Sequence, residues 1–208
     1  MIKKVAIVWE SETGGGVNSY LKYLLSTKQF KNKDITIITN QNNLGAKPLK
    51  YDLRNLKNIK FEFFSSFFVK KRNLIIKSLL YFFKPIFLII SVFKFKKILN
   101  KKYDLLICQC GNYGTFRSEQ AGLFAGKILN IPLRFLVIHH ACEKPQRFLE
   151  IFHFIVNICI RRSISGIITV SKATLKTVKR NSNIFDKDIP KSKIIHNGVP
   201  KINNLKKK

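Results

Sequence analysis

"KVAIVWESETGGGVNSYLKYLL", residues 4–25, decides the fold. The first six residues, "KVAIVW" (4–9), have the Val and Ile content of a strand, and 16–28 has the apolar spacing of a helix. Between them lie three of the chain's 10 glycines. A strand, a tight glycine turn and a helix form the usual phosphate site of doubly wound folds. Glycine permits positive φ and lets backbone N–H groups approach an anion, and the helix N-terminus adds partial positive charge. "TGGGVNSY" (13–20) does not satisfy G-x-G-x-x-G, so no dinucleotide fingerprint is present, and a plain strand-to-helix turn is the competing explanation. The apolar run is also too short for a signal peptide, and Glu10 and Glu12 follow it without a cleavage pattern.

Outward from this unit, strands and helices alternate. Strands are expected at "DITIIT" (34–39), "NIKFEFF" (58–64), "YDLLICQ" (103–109), "LRFLVI" (133–138), "SGIITV" (165–170) and "SKIIHN" (192–197). Helices are expected at 70–99, 116–129, 146–163 and 172–181. Ile- and Val-rich strands separated by helices predict an α/β fold: a Rossmann-like, doubly wound, mostly parallel sheet covered on both faces. At 208 residues the chain is long enough for one domain, and 46% hydrophobic content is enough for a real core.

The formal net charge is +28, carried by 31 lysines and only eight arginines. The lysines are scattered, and the arginine-and-aromatic patterns that read bases are absent, so nucleic acid is a disfavoured partner and an anionic membrane surface a better one. The four cysteines make no metal framework: Cys108 and Cys110 share one face of a strand, Cys142 and Cys159 are isolated, and all four are expected to be buried free thiols. No metal site is expected.

Ligands of open parallel sheets bind beyond the carboxyl ends of strands. His139 and His140 directly follow "LRFLVI" and should share a rim with the glycine turn, whereas His153, inside "EIFHFIVNICI", is expected to be an ordinary core or surface residue.

Five motifs in order resemble the N-terminal, acceptor domain of family 4 retaining glycosyltransferases. They are "GGGVNSYLKYLL", "YDLLICQCGNYG", "AGLFAGKILNIPLRFLVIHH", "ISGIITVSKATLKTVKR" and "KSKIIHNGVP", and they span nearly the whole chain. The resemblance implies a GT-B fold, in which two Rossmann-like domains face a cleft. It implies no cofactor, with a nucleotide sugar as donor substrate, and a cell-surface polysaccharide or lipid-linked glycan as acceptor. It places the protein in the cytoplasm, peripheral at the inner face of the cell membrane. Gly15 and Gly16 would face the donor diphosphate or the acceptor. His139 would line the sugar site as the catalytic-rim residue, with His140 competing for that role, and Ser171 and Asn197 would lie near the cleft rim and hinge. Relatives often have His followed by Asp or Gly, and Asp after "NGV"; this chain has His-His-Ala and Pro200.

The resemblance implies a domain over 1–198 and a polar tail over 199–208, with the C-terminal donor domain a possible separate partner. The isolated chain is therefore expected to be inactive alone. The alternatives are a non-catalytic remnant or split-gene partner that binds acceptor or membrane, and a basic nucleic-acid-binding Rossmann-like protein.

"KSLLYFFKPIFLIISVFKFKK" (77–97) has the length of a membrane span, but Lys84 sits near its centre, where a lysine costs about 2.5–3.5 kcal/mol, and Pro85 follows. Lys70, Lys77, Lys84 and Ser91 repeat every seven residues as one narrow polar stripe, so an interfacial helix pair broken at Pro85 is expected, against the simpler possibility of a core helix.

Overall fold

The computed structural model describes residues 2–12, 15–66, 83–111, 113, 117–142, 144, 150–182, 184 and 191–197. Gly14, the first half of the apolar basic segment and the polar tail lie outside these residues.

Seven parallel strands form one sheet. They are β1 (Lys4–Trp9), β2 (Asp34–Asn40), β3 (Ile59–Phe64), β4 (Leu105–Cys110), β5 (Leu133–Ile138), β6 (Gly166–Thr169) and β7 (Ser192–Ile194), in the order β3-β2-β1-β4-β5-β6-β7. The chain steps outward from β1 to β3, then crosses back to β4 on the other side of β1. That reversal makes a topological switch point between β1 and β4, where ligands of such sheets sit. Register is continuous across it, with Ile7 opposite Ile37 of β2 and Ile107 of β4. Val5 through Trp9 are all buried, as expected for a central strand covered on both faces. Asp104 accepts from the N–H groups of Lys3 (2.7 Å) and Lys4 (2.9 Å), which explains the Tyr-Asp that opens the fourth strand.

Each face has its own core. On one, Val5, Ile7, Trp9, Ile107 and Val137 pack with Leu21 and Leu25 of α1 (Gly16–Leu25) and Leu49 of α3 (Ala46–Asp52). The one-turn α2 (Lys28–Lys31) ends the run expected to be a single helix to 28, and α3 was not expected, because Pro48 masks it in the sequence. Proline is tolerated in a helix's first turn, where its N–H would have no partner anyway.

On the other face, Ala6, Val8, Leu106, Cys108 and Leu136 pack under α5 (Ser118–Ile128). Its "AGLFAG" stretch lets backbone approach sheet: a Cβ at Gly122 would stand 3.2 Å from Val8 Cγ2, and one at Gly126 only 2.5 Å from Leu106 Cδ2. The helix ends at the "NIP" signal. Asn130 takes φ 54° and the Ile131 N–H bonds the Gly126 carbonyl at 2.9 Å, a Schellman closure. Against α5 pack α4 (Lys84–Ile98) and α6 (Glu150–Ser163), and α7 (Lys172–Asn181) follows β6. Pro85 opens α4 at its first turn, where the missing N–H costs nothing. Ser91, expected on a polar stripe, is buried. Cys108, Cys110 and Cys142 are buried and outside any disulfide, as expected, but Cys159 is exposed on α6. Among the described residues no helix is long and apolar enough to cross a membrane.

Candidate functional site

The carboxyl ends of β1, β4 and β5 carry two polar clusters, one on each face of the sheet. On the α1 face, His139 continues β5: its N–H bonds the Cys110 carbonyl at 3.0 Å, and the His140 N–H bonds Gly111 at 2.8 Å. The loop beyond is tied to α7, since Asn181 Nδ2 donates to the Cys142 carbonyl at 2.7 Å. The His139 ring is buried. Its Nε2 lies 2.7 Å from Gln109 Oε1, and its centroid lies 5.0 Å from the Tyr20 ring at 72°, an edge-on contact. With Gln109 Oε1 as acceptor, Nε2 carries the proton and Nδ1 is left as an acceptor. Burial, helped by neighbouring His140, pulls the imidazole down to about 4, so it is neutral at physiological pH. Gln109 is fully buried. Burial raises the Tyr20 phenol above its ordinary value, and Gln109 partly offsets this.

Tyr20 also ties the imidazole to the glycine turn, because Gly16 lies one helical turn earlier on α1, about 6 Å along its axis. The N-terminus of α1 has no side-chain cap and no acidic residue in its first turn, so its partial positive charge is uncompensated within the helix. Gly15 has φ 177°, which is ordinary extended backbone, and a Cβ at Gly15 or Gly16 would meet nothing within 4 Å. Neither glycine is demanded by backbone strain or by crowding from the described residues, so the positive-φ argument finds no support at these two positions. Glycine is demanded nearby at Gly45, whose Cβ position is taken by the Asn18 amide that docks α1 on α3.

On the α5 face the sequence reading missed a pair of carboxylates. Glu10, just past β1, uses both oxygens: Oε2 accepts from the Ser118 N–H at 3.2 Å and Oε1 from the Ser66 hydroxyl. Glu119, in the first turn of α5, accepts from the Glu10 N–H at 3.1 Å and is fully buried, with Oε2 unpartnered among the described residues. Burial first, then the Glu10 carboxylate, pushes Glu119 up to about 8. The exchange clamps the exit of β1 to the start of α5 across the switch point. The Ser11 N–H, bonded to Asn40 Oδ1 at 3.0 Å, ties the same exit to β2. No spacing rule could reveal this pair, since 109 residues separate its members. Among the described residues no three His, Cys, Asp or Glu gather as metal ligands would.

The remaining expected site residues lie on the same rim but farther out. His140 is exposed beside His139. Ser171 follows β6, and its Oγ accepts from the Thr174 N–H at 3.0 Å, capping α7. Asn197 is exposed three residues past β7 at the sheet edge, two strand spacings or about 10 Å from β5. The structure thus brings together His139, Gln109, Tyr20 and the glycine end of α1, with Ser171 and Asn197 set to one side.

No protein-family model and no curated protein sequence matches the chain. Solved structures do. MurG of Acinetobacter baumannii aligns with a TM-score of 0.51 at 14% identity over 93% of this chain and 45% of its own. UDP-GlcNAc 2-epimerase of Neisseria meningitidis, bound to UDP-GlcNAc, aligns with a TM-score of 0.52 at 11% identity, covering 92% and 45%. LpCGTa in complex with UDP aligns with a TM-score of 0.51 at 12% identity, covering 94% and 53%. The fold is a Rossmann-like domain of the GT-B kind. The chain spans about half the length of each of these proteins.

Proposed function

We propose that the chain is the acceptor-side half of a retaining GT-B glycosyltransferase of family 4 type. It would transfer a sugar from a nucleotide sugar to a cell-surface polysaccharide or lipid-linked glycan at the inner face of the membrane, and only together with a donor-binding half. The observation that carries the reading is the meeting, beside the switch point, of a helix N-terminus without a side-chain cap and a neutral, oriented imidazole. Two of the similar structures hold UDP or UDP-GlcNAc, which supports a nucleotide sugar as the ligand class.

The residues divide the work by chemistry. The N–H groups at Gly15 and Gly16 suit an anionic group such as a diphosphate. His139 Nδ1 suits a sugar hydroxyl, which would donate to it. An imidazole held near pKa 4 is a poor proton donor at neutral pH, so its role is to orient and polarise rather than to act as a general acid. His140, Ser171 and Asn197 would border the cleft. Retaining transfer further needs a stabilised leaving diphosphate, and the cationic groups for that would come from the facing half.

The test is a titration of the isotope-labelled 208-residue chain with nucleotide sugars and with oligosaccharide acceptors. Amide signals of Gly15–Val17 and the His139 imidazole are expected to shift, while the chain alone transfers no sugar. The reading fails if these signals ignore every nucleotide sugar and glycan but respond to duplex or single-stranded nucleic acid in moderate salt.

A further inference from the structure

The sheet has two outer strands, and the chain treats them differently. β7 at one edge is three residues long, with Lys191 and Lys193 exposed along it. Shortness and lysines are common ways of blunting an edge. β3 at the other edge has neither device. It extends over six residues, Ile59–Phe64, and pairs with β2 in unbroken register from Ile35–Ile59 to Asn40–Phe64, without bulge or proline. Its one lysine, Lys60, is matched by Glu62 two residues on. Phe63 is 45% exposed and stacks on Phe61, with ring centroids 6.5 Å apart. The backbone phase of this edge is set by β2. The Ile35 N–H bonds the Asn58 carbonyl at 2.8 Å, and the Gln41 N–H bonds the Phe64 carbonyl at 3.0 Å. Successive residues of a strand turn their backbone groups to opposite sides, so Asn58, Lys60, Glu62 and Phe64 face β2. Ile59, Phe61 and Phe63 turn theirs away from the sheet. The Ile59 N–H bonds the Leu56 carbonyl at 3.2 Å. The Ile59 carbonyl and both backbone groups of Phe61 and Phe63 have no strand beside them among the described residues.

We propose that β3 is the interface of a two-fold homodimer, pairing antiparallel with β3 of a second copy of this chain, with Phe61 on the dyad. The occupant and the register both follow from complementarity. An antiparallel neighbour must set outward residues opposite outward ones, so the dyad falls on a residue and not between two. A dyad on Lys60 or on Glu62 would set like charges face to face. One on Ile59 or Phe63 would leave Lys60 and Glu62 without each other. On Phe61, Lys60 of each copy lies opposite Glu62 of the other, at the non-hydrogen-bonded positions where cross-strand side chains come closest. Glu62 ion-pairs with Lys101 through Oε1, which leaves Oε2 for the second copy's Lys60. Phe61 would exchange both backbone bonds with Phe61 of the second copy, and each Phe63 N–H would meet an Ile59 carbonyl. On the α1 face, where Ile59 and Phe61 pack at the margin of the core, Ile59, Phe61 and Phe63 of both copies would form one apolar row. The same patch serves both copies, so the contact closes at two. The strands run in opposite directions, so the two rims lie at opposite ends of the joined sheet. His139 follows β5, four strands along from β3, and stays clear of the interface. Nothing in the dimer depends on the proposed transferase role.

The experiment is sedimentation of the full chain over a concentration series at about 0.15 M salt, where a screening length of about 8 Å limits repulsion between chains of net charge +28. A monomer–dimer equilibrium is expected, with hydrogen exchange at the Phe61 and Phe63 amides slowing about tenfold or more as the dimer fills. Lys60→Glu and Glu62→Lys, each made alone, put two like-charge pairs into the interface and should weaken the dimer about tenfold or more. An equimolar mixture of these two variants restores both opposite-charge pairs in a heterodimer and should associate as the unmodified chain does. The chain carrying both substitutions should do the same. Such rescue reads the register directly, and a variant that had merely lost its fold would not give it. The proposal is overturned if the unmodified chain stays monomeric up to about 1 mM. It is equally overturned if the mixture associates no better than either variant alone, or if the Phe61 and Phe63 amides exchange alike at every concentration. Growth into open assemblies larger than a dimer would also overturn it, since that is unspecific edge pairing and not a closed contact.

Discussion

The two faces of the rim handle buried polarity in opposite ways. On the α1 face, His139 is held neutral by losing a proton: burial drives it down to about 4. On the α5 face, Glu119 is held neutral by keeping one: burial and the adjacent Glu10 drive it up to about 8. Both follow from the cost of charge away from water, yet the consequences differ. A neutral imidazole with one nitrogen committed to Gln109 still offers the other to a ligand. Glu119 has one oxygen committed to the Glu10 backbone, and Glu10 spends both of its own on α5 and Ser66. One cluster is arranged toward the rim and the other is a clamp beneath it.

The contrast is most sharply tested at Glu119. Its native carboxyl retains a proton that the unfolded chain releases above pH 4.5, so stability falls as pH rises from about 4.5 to 8 and levels off beyond. For His139 the unfolded chain binds a proton that the native state refuses, so stability rises with pH from about 4 to 6.5. The two slopes cancel between about 4.5 and 6.5, leaving Glu119 alone above that. Denaturation followed against pH should therefore show a loss of about 2 kcal/mol between pH 6.5 and 8. Glu119→Gln should remove that loss and uncover the rising His139 limb below it. A flat profile above pH 6.5 in the unmodified chain would show that Glu119 is already ionised and the clamp is an ordinary anionic cap.

A further effect is expected from the other face. Gln109→Glu places a carboxylate against His139 Nε2 and should raise the imidazole by about two units, removing most of the stability limb between pH 4 and 6.5. Gln109→Leu should leave the ring neutral but mix its tautomers. Nitrogen NMR of the imidazole reads both, and an unmodified His139 that titrates near 6.5 would remove the distinction between the two faces.

The α1 face was legible in the sequence because its parts are local. The glycine turn abuts β1, the histidines abut β5, and alternation of strands and helices predicts a parallel sheet whose carboxyl ends coincide. Strand 133–138 and helix 172–181 were placed to the residue for the same reason. The α5 face was not legible, because Glu10 and Glu119 meet only through topology, across the switch point. Gln109 escaped notice for a related reason: within "YDLLICQ" it looks like the polar end of a strand, and only pairing with β5 gives it a histidine. Ser91 on α4, buried beside Leu88 and Phe95, shows a different limit. Periodicity finds the polar stripe of Ser91, but periodicity alone does not say which side of a helix faces the core.

The smallest expected effect is the one that decides whether the glycine turn is more than a turn. At Gly126 an added methyl would collide with Leu106, and Gly126→Ala should cost about 1–3 kcal/mol in a melting or denaturant experiment. At Gly15 the backbone is extended and the methyl meets nothing, so Gly15→Ala should change stability by less than about 0.5 kcal/mol. Any effect of Gly15→Ala on nucleotide-sugar binding then points to a ligand approaching closer than a side chain allows, since no described residue fills that space. A tenfold or greater weakening in the titration, with an unchanged melting temperature, would assign that space to a diphosphate or sugar. Unchanged binding would leave the α1 N-terminus as a connection between β1 and its helix, and the ligand contacts of the rim would have to be sought at His139 alone.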